Sequence, residues 1–197
     1  MQLRLKERRV LVFLFMCLAG LSPVVAQQPV SVSVAWMNEN VSLPFTRLNQ
    51  LNPGAEVGVS LLTAQRERST HYLAFKLGGY HHQYLANGFY LMADYHIQRP
   101  LMKNLLADFY GGGGYMHTIY PGTLYTLQDD GEFGEKQQTG RPHAVLNLGV
   151  GATYSTDLFF DPFVRYDFMI ESPFANGIPV FPHSLLKVGI QIKIADQ

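Results

Sequence analysis

Apolar and polar residues alternate along most of the chain with the two-residue period of β-strands. The last such stretch is residues 185–194, LLKVGIQIKI, in which every second residue from Leu186 to Ile194 is apolar and Lys187 and Lys193 lie between them. Successive side chains of a strand point to opposite faces, so this stretch has one apolar face and one face with two lysines. The pattern predicts a strand between an apolar and a polar environment, either in a soluble sheet or in a membrane barrel.

The same alternation recurs in seven earlier segments, so the sequence predicts an all-β fold with eight strands. Most segments have the length that a tilted transmembrane strand needs, roughly 9–11 residues. No segment has the period of a helix. The predicted strands are residues 30–36, 55–63, 70–82, 88–98, 105–118, 144–155, 159–171 and 185–194.

The connections between these strands differ in length in an ordered way. The first, third, fifth and seventh connections are residues 38–53, 84–87, 120–142 and 172–183, and three of these four are long. The other three connections, 64–69, 99–104 and 156–158, are all short. Up-and-down outer-membrane barrels have long loops on the outside and short turns on the inside. The alternation of longer and shorter connections therefore predicts an antiparallel up-and-down transmembrane β-barrel with both termini in the periplasm.

Charged residues within the predicted strands fall on the polar faces, and the central parts of the apolar faces carry none. In a membrane barrel the polar faces line the interior, and eight strands leave just enough room for side chains to fill it. We expect Arg165 to form an ion pair with Asp167, Asp94 or Asp108. We also expect interior glycines such as Gly149 to leave room for a small polar group. A soluble lipocalin-like barrel with its apolar faces inward is the alternative. The predicted interior ion network consists of Glu56, Lys76, Asp94, Asp108, Arg165, Asp167, Glu171 and Lys187.

The N-terminal residues have the features of a secretory signal peptide. A basic segment, MQLRLKERR, precedes an apolar run that is too short to span a bilayer as a helix. Val24 and Ala26 are small residues that suit cleavage after Ala26, so we predict a signal peptide over 1–26 and one barrel domain over 27–197. The whole chain has 15 basic and 15 acidic residues, and residues 1–26 contain four of the basic and one of the acidic ones. The remaining chain is net negative by three, which disfavours nucleic acid as a partner.

Together these features resemble the small eight-stranded outer-membrane β-barrel proteins of Gram-negative bacteria, such as the OmpA membrane domain and OmpX. The resemblance covers about residues 30–194 and is architectural. It implies a location in the outer membrane of a Gram-negative bacterium, with outer-membrane lipid around the barrel.

One motif of this family is found near the C-terminus. The assembly signal of such barrels has a polar residue, a glycine two positions later, and hydrophobic residues five and seven positions later. Lys187, Gly189, Ile192 and Ile194 match it. Family members often end on Phe, whereas here Ile194 is followed by Ala-Asp-Gln. The resemblance implies the barrel insertion machinery as a partner.

Candidate catalytic residues are few. Outer-membrane lipid-modifying barrels use Ser, His and an acid, and the sequence offers His183 and Ser184 with Glu171 across the same loop. The adjacent His-Ser pair does not match the His-x-Ser-Asn pattern of the lipid A deacylase family. Asp94 and His96 share a face and suit the interior network better than catalysis.

Five histidines form the candidate metal-ligand set, since neutral imidazole is a common ligand of transition metals. They fall at the ends of strands or in the long loops, without a strict ligand spacing. The set is His81, His82, His117, His143 and His183. Residues 128–140 form an acidic, glycine-rich segment that we interpret as a mobile surface loop rather than a calcium site. We expect no resident cofactor.

The sequence thus favours a filled outer-membrane barrel with a structural or surface-interaction role. A lipid-modifying enzyme of the lipid A deacylase type and a narrow pore are the alternatives. The surface partner is not indicated by any motif.

Overall fold

The computed structural model describes residues 29–42, 51–128, 131–136, 138–174 and 177–194. The predicted signal peptide, residues 1–26, lies outside the described residues. The chain forms ten β-strands within the described residues. They are β1 (Pro29–Asn40), β2 (Pro53–Arg66), β3 (Ser69–His81), β4 (Asn87–Pro100), β5 (Leu105–Ile119), β6 (Leu124–Leu127), β7 (Phe133–Lys136), β8 (Arg141–Tyr154), β9 (Phe160–Ser172) and β10 (Phe181–Lys193).

Eight of these strands close into an antiparallel barrel in the order β1-β10-β9-β8-β5-β4-β3-β2. The predicted fold class, an all-β eight-stranded barrel, is confirmed. β1 and β10 form the closing seam, with Val34 opposite Ile190 and Trp36 opposite Val188. No helix long and apolar enough to cross a membrane occurs in the described part of the chain.

Two loop predictions are corrected by the strand bounds. The first long connection was predicted to begin at residue 38, but β1 continues to Asn40. Residues 128–140 were predicted to form a mobile surface loop, but they contribute β7 to the separate β6–β7 hairpin, in which Leu124 pairs with Lys136. A hairpin can form there because the segment supplies β-favouring residues on both sides of a turn with Gly131 at a φ of 82°.

The outer surface of the barrel is apolar. Alternate residues of each strand point away from the interior, and large hydrophobic side chains stand exposed there, among them Leu91 at 57%, Leu148 at 66% and Val188 at 48%. A folded soluble domain buries such a band, whereas a lipid-facing barrel exposes it. The alternation in the sequence therefore has its apolar side outward, as the membrane-barrel interpretation requires.

The inner surface is tightly filled where glycines let aromatic rings of the adjacent strand lie over them. A Cβ on Gly78 would meet the ring of Tyr90, and a Cβ on Gly149 would meet the ring of Tyr110. The expectation that Gly149 leaves room for a small polar group is therefore wrong, because Tyr110 already occupies that space.

The two ends of the barrel differ. The connections after β1, β3, β5 and β9 lie at one end, named here the long-loop end, and those after β2, β4 and β8 lie at the short-turn end. β1 begins and β10 ends at the short-turn end, since Ser31 pairs with Lys193.

Candidate functional site: the filled barrel interior

The layer of the interior nearest the short-turn end is built around Arg165. Its guanidinium Nη2 lies 3.2 Å from Asp108 Oδ2 and donates to the Tyr72 hydroxyl at 3.3 Å. Thr153 Oγ1 donates to the same carboxylate at 2.9 Å, and the Arg165 guanidinium carbon lies 4.1 Å from the centre of the Phe163 ring. Asp108 is thus the acid, among the three expected, that the structure places beside Arg165.

The central layer contains two lysines and three acids that hydrogen bonds join into one cluster. Lys76 Nζ donates to Asp94 Oδ2 at 2.7 Å, and Lys187 Nζ donates to Asp167 Oδ2 at 2.8 Å and also to Glu56. All five side chains are at most 3% exposed. Buried charges persist in a low-dielectric interior only when they are paired, so this cluster ties β2, β3, β4, β9 and β10 together.

Uncharged side chains complete the central layer. Asn147 Nδ2 donates to Asp94 at 2.8 Å and to Asp167 at 3.2 Å, and so joins the two ion pairs. Tyr90 donates its hydroxyl to Glu56 at 2.6 Å, and Tyr110 donates to Asp167. The cluster therefore crosses the whole lumen.

His96 lies inside this cluster without joining its hydrogen bonds. Its ring is stacked between Tyr72 at 4.5 Å and Tyr110 at 4.2 Å between ring centres. Neither ring nitrogen has a hydrogen-bond partner among the described residues, so His96 does not pair with Asp94. Stacking, rather than ion pairing, holds this histidine.

An apolar layer follows toward the long-loop end. It consists of Met37, Tyr80, Tyr90, Met92, Met116, Val145, Met169 and Leu185, all buried and packed together. The strands set the shape of the lumen, and flexible methionine side chains can fill the irregular gaps that remain inside it.

A histidine between two glutamates lies above the apolar layer. His183 Nδ1 is 2.8 Å from Glu39 Oε1, and His183 Nε2 is 3.4 Å from Glu171 Oε2. The three side chains are at most 1% exposed, and they belong to β10, β1 and β9. The group therefore joins both sides of the closing seam.

The structure separates the candidate catalytic residues. His183 and Glu171 meet inside the barrel, but Ser184 follows His183 on the strand and so lies on the opposite face. The Ser184 hydroxyl donates to the carbonyl oxygen of Ser42 at 3.0 Å. A serine–histidine pair is not formed by these residues.

The five candidate metal-binding histidines occupy separate environments. His81 hydrogen-bonds Asn87, His82 accepts hydrogen bonds from backbone N–H groups of its turn, and His117 contacts the Thr139 carbonyl. His143 lies 2.8 Å from Thr118 Oγ1 and 2.6 Å from the carbonyl oxygen of Pro173. Within the described ranges no three His, Cys, Asp or Glu side chains are arranged to hold a metal ion.

The proposed assembly signal has its residues on both faces of β10. Lys187 and Gly189 face inward, where Lys187 is fully buried. Ile190 and Val188 mark the outer face, and Ile194 on that face is 53% exposed. Recognition of this segment by the insertion machinery stays a prediction.

Sequence reasoning missed several interior residues. Glu39 was assigned to a loop, and Tyr72, Tyr110 and Asn147 were placed on inward faces without a role. Their common signal is position on the inward face. Tyr72 and Tyr110 are an even number of residues from the predicted charges Lys76 and Asp108, Asn147 is two residues from Gly149, and Glu39 is four residues from Ala35. Inward position alone does not show which groups meet, because that depends on how neighbouring strands are staggered.

Two openings flank the filled part of the lumen. A cavity of about 440 Å³ at the short-turn end is lined by polar residues that include Ser31, Gln98 and Gln191. A cavity of about 390 Å³ at the long-loop end is lined by residues that include Tyr84 and Arg141. The charged and apolar layers lie between them.

Comparison with solved structures agrees with this architecture. Ail, the attachment invasion locus protein of Yersinia pestis, superposes with a TM-score of 0.53 at 11% identity, covering 85% of this chain and 99% of Ail. The Neisserial surface protein A superposes with a TM-score of 0.52 at 10% identity, covering 84% of this chain and 96% of that protein.

The chain has the fold of the small eight-stranded outer-membrane β-barrels. The architectural resemblance drawn from the sequence is confirmed. No protein-family model matches the sequence, and no curated protein matches it. At this level of identity the likeness is one of fold, and a role has to be argued from the chain's own residues.

Proposed function

We propose that the protein is an outer-membrane β-barrel with a filled interior and a structural or surface-interaction role. The observation that carries this proposal is the combination of an apolar outer surface with a lumen closed by charged and apolar layers. A closed barrel satisfies its backbone hydrogen bonds between strands, which is what a bilayer demands. In the proposed orientation the short turns and both termini are periplasmic and the long loops are at the cell surface.

The filled lumen gives the pore alternative little support. The two cavities are separated by the cluster around Lys187 and by the methionine-rich layer, and an eight-stranded barrel leaves no further width. We expect the purified protein in planar bilayers to give no stepwise conductance, with a porin as the positive control. Reproducible single-channel steps from the wild-type barrel would contradict the filled-interior proposal.

The enzyme alternative loses its sequence candidates, because Ser184 lies on the face opposite His183. A lipidomic comparison of membranes with and without the protein tests this alternative directly. An unchanged lipid A and phospholipid profile is expected for a structural or interaction role.

The surface role is supported by the β6–β7 hairpin. Tyr125, Leu127 and Phe133 are 61%, 63% and 73% exposed at the long-loop end, away from the lipid-facing band. Exposed apolar side chains in such a place are typical of a protein-interaction surface.

Location and orientation can be tested together. Fractionation should place the protein in the outer membrane, and unboiled samples should migrate differently from boiled ones on gels. Trypsin added to intact cells should cleave after Lys136, at the end of β7 between β5 and β8, and spare Arg68 in the first short turn. Cleavage at Arg68 in intact cells would reverse the proposed orientation, and a soluble periplasmic protein would overturn the location.

A further inference from the structure

A chain of three polar side chains lies on the outer face of the barrel near its short-turn end. Ser69 Oγ is 2.9 Å from His71 Nε2, and His71 Nδ1 is 3.0 Å from the Tyr95 hydroxyl. These residues alternate with the inward-facing Tyr72 and His96, so they point away from the lumen. Both nitrogens of the His71 ring are occupied within this chain.

The position of these three hydrogen-bonded side chains is unusual for a lipid-facing surface. Farther along the same faces the outward residues are apolar, as at Leu73, Phe75 and Phe109. His71 is only 8% exposed, whereas Tyr95 is 44% exposed. Polar groups at a membrane surface are costly unless they are paired, and here they are paired with one another at the level where the apolar band ends.

Two arginines flank Ser69 on neighbouring strands. Arg66 of β2 is the direct cross-strand partner of Ser69, so the two side chains share a face. Arg99 of β4 follows Gln98, the partner of Thr70, and so lies in the adjoining row on the same face. Neither arginine side chain has a hydrogen bond or an ion pair with the residues that the structure describes.

We propose that this patch, composed of Arg66, Ser69, His71, Tyr95 and Arg99, binds the headgroup phosphate of an anionic glycerophospholipid. The lipid belongs to the leaflet at the short-turn end, and its acyl chains lie along Leu73, Phe75 and Phe109. The proposal rests on the membrane location and orientation given under the proposed function. Two unpaired cations with a hydroxyl between them offer several hydrogen-bond donors to an anion, and the apolar wall beside them favours an anion that carries hydrocarbon.

The guanidinium groups explain why a phosphate fits this position. Arginine presents planar N–H donors that match two phosphate oxygens at once, and its long side chain reaches the interface while its stem stays on apolar surface. Cations close to an anionic membrane surface each contribute to lipid attraction, and the contribution decreases with added salt.

The hydrogen-bond chain then has a required direction. Tyr95 donates its hydroxyl hydrogen to His71 Nδ1, and His71 Nε2–H donates to Ser69 Oγ. The Ser69 hydroxyl hydrogen is thereby left free to donate to a phosphate oxygen. In the opposite direction Ser69 would donate to His71 and present only lone pairs to the anion. Tyr95 thus acts as a positioning residue, because its donation to Nδ1 supports the tautomer with the hydrogen on Nε2.

The test is native mass spectrometry of the refolded barrel released from detergent, titrated with phosphatidylglycerol. Wild-type protein should retain one lipid under conditions that strip bulk detergent. Arg66→Gln with Arg99→Gln should lower the apparent affinity by roughly tenfold or more, since each cation near an anionic surface contributes about a factor of five. Arg68→Gln is the matched control, because Arg68 is an exposed arginine in the same turn but outside the patch.

Tyr95→Phe separates the contribution of the Tyr95–His71–Ser69 hydrogen bonds to lipid binding from that of the arginine charges. It keeps both arginines and the aromatic ring, and it should weaken retention by roughly threefold to tenfold through loss of the hydroxyl that orients His71. Inorganic phosphate at equal concentration should not displace the lipid. Displacement by inorganic phosphate would show a free-anion site and overturn the lipid assignment.

Heat-dependent gel migration of every variant verifies that the barrel is folded. The headgroup site is overturned if the folded double arginine variant retains lipid as well as Arg68→Gln does. The proposed function stands in that case, provided that the barrel is located in the outer membrane. If the protein does not reach the outer membrane, the proposed function fails first. Labelling of an Arg68→Cys variant by a membrane-impermeant thiol reagent on intact cells would place the patch in the opposite leaflet and overturn the assignment.

Discussion

The guanidinium of Arg165 and the carboxylate of Asp108 form an ion pair inside the barrel, 3.2 Å apart, with side chains only 3% and 0% exposed. The two residues come from β9 and β5, which are not adjacent strands in the barrel. Lys187 lies directly opposite Arg165 on β10 and pairs instead with Asp167 and Glu56. Two neighbouring cations thus reach different acids, which avoids a like-charge contact at the centre of the lumen.

Replacing Arg165 by Ala should destabilise the barrel by about 3–5 kcal/mol, because Asp108 is left as a buried charge without a cation. Combining it with Asp108→Ala should cost less than the sum of the single changes. The measurement is urea-dependent unfolding in detergent micelles. Lys193→Ala is the control, since this side chain is 39% exposed and should have a small effect. A harmless Arg165→Ala would contradict the account of the interior.

The lipid-facing band can be tested with two leucines of similar exposure. Leu148 is 66% exposed on β8 and Leu127 is 63% exposed on the β6–β7 hairpin. Leu148→Lys should cost about 2–4 kcal/mol in a bilayer, because a lysine at mid-depth must leave water. Leu127→Lys should be tolerated. Equal stability of the two variants, measured by refolding into lipid vesicles, would place the band outside the membrane.

Gly149 should resist substitution although it faces a polar interior. Gly149→Ala should cost about 1–3 kcal/mol, because the added methyl group displaces the Tyr110 ring from between His96 and Asp167. Gly111→Ala is the matched control on the outer face, where the nearest atom to the new Cβ is the flexible Leu148 Cδ2 at 3.0 Å. Denaturant midpoints of the two variants decide the comparison, and equal midpoints would argue against tight packing at Tyr110.

His183→Leu should destabilise the closing seam by about 3–5 kcal/mol at neutral pH, because Glu39 and Glu171 lose the group that lies between them. Adding Glu39→Gln and Glu171→Gln to that variant should restore part of the loss by removing the unpaired charges. His81→Leu, which changes an exposed histidine, is the control. Unfolding curves of the three variants and of the wild-type protein test the assignment, and a triple variant less stable than His183→Leu would contradict it.

The sequence by itself determined the strands, their faces and the kind of barrel. A period of two is a local property, so Lys76, Asp94, Asp167 and Lys187 could be assigned to one face without knowing their partners. The ordered lengths of the connections, and the absence of charge from the apolar faces, identified a membrane barrel over a soluble one. Family resemblance in the last strand agreed with that assignment.

Only the tertiary structure decided which inward groups meet. Glu56 and Lys187 are 131 residues apart, and their contact depends on closure of the barrel and on the stagger of its strands. The same holds for Arg165 with Asp108, for Glu39 with His183, and for the space over Gly149. The patch around Ser69 and Arg66 likewise arises from pairing between strands. Alternation fixes the face of a residue because it acts along one strand, whereas a contact requires the relative positions of several strands, which no single segment contains.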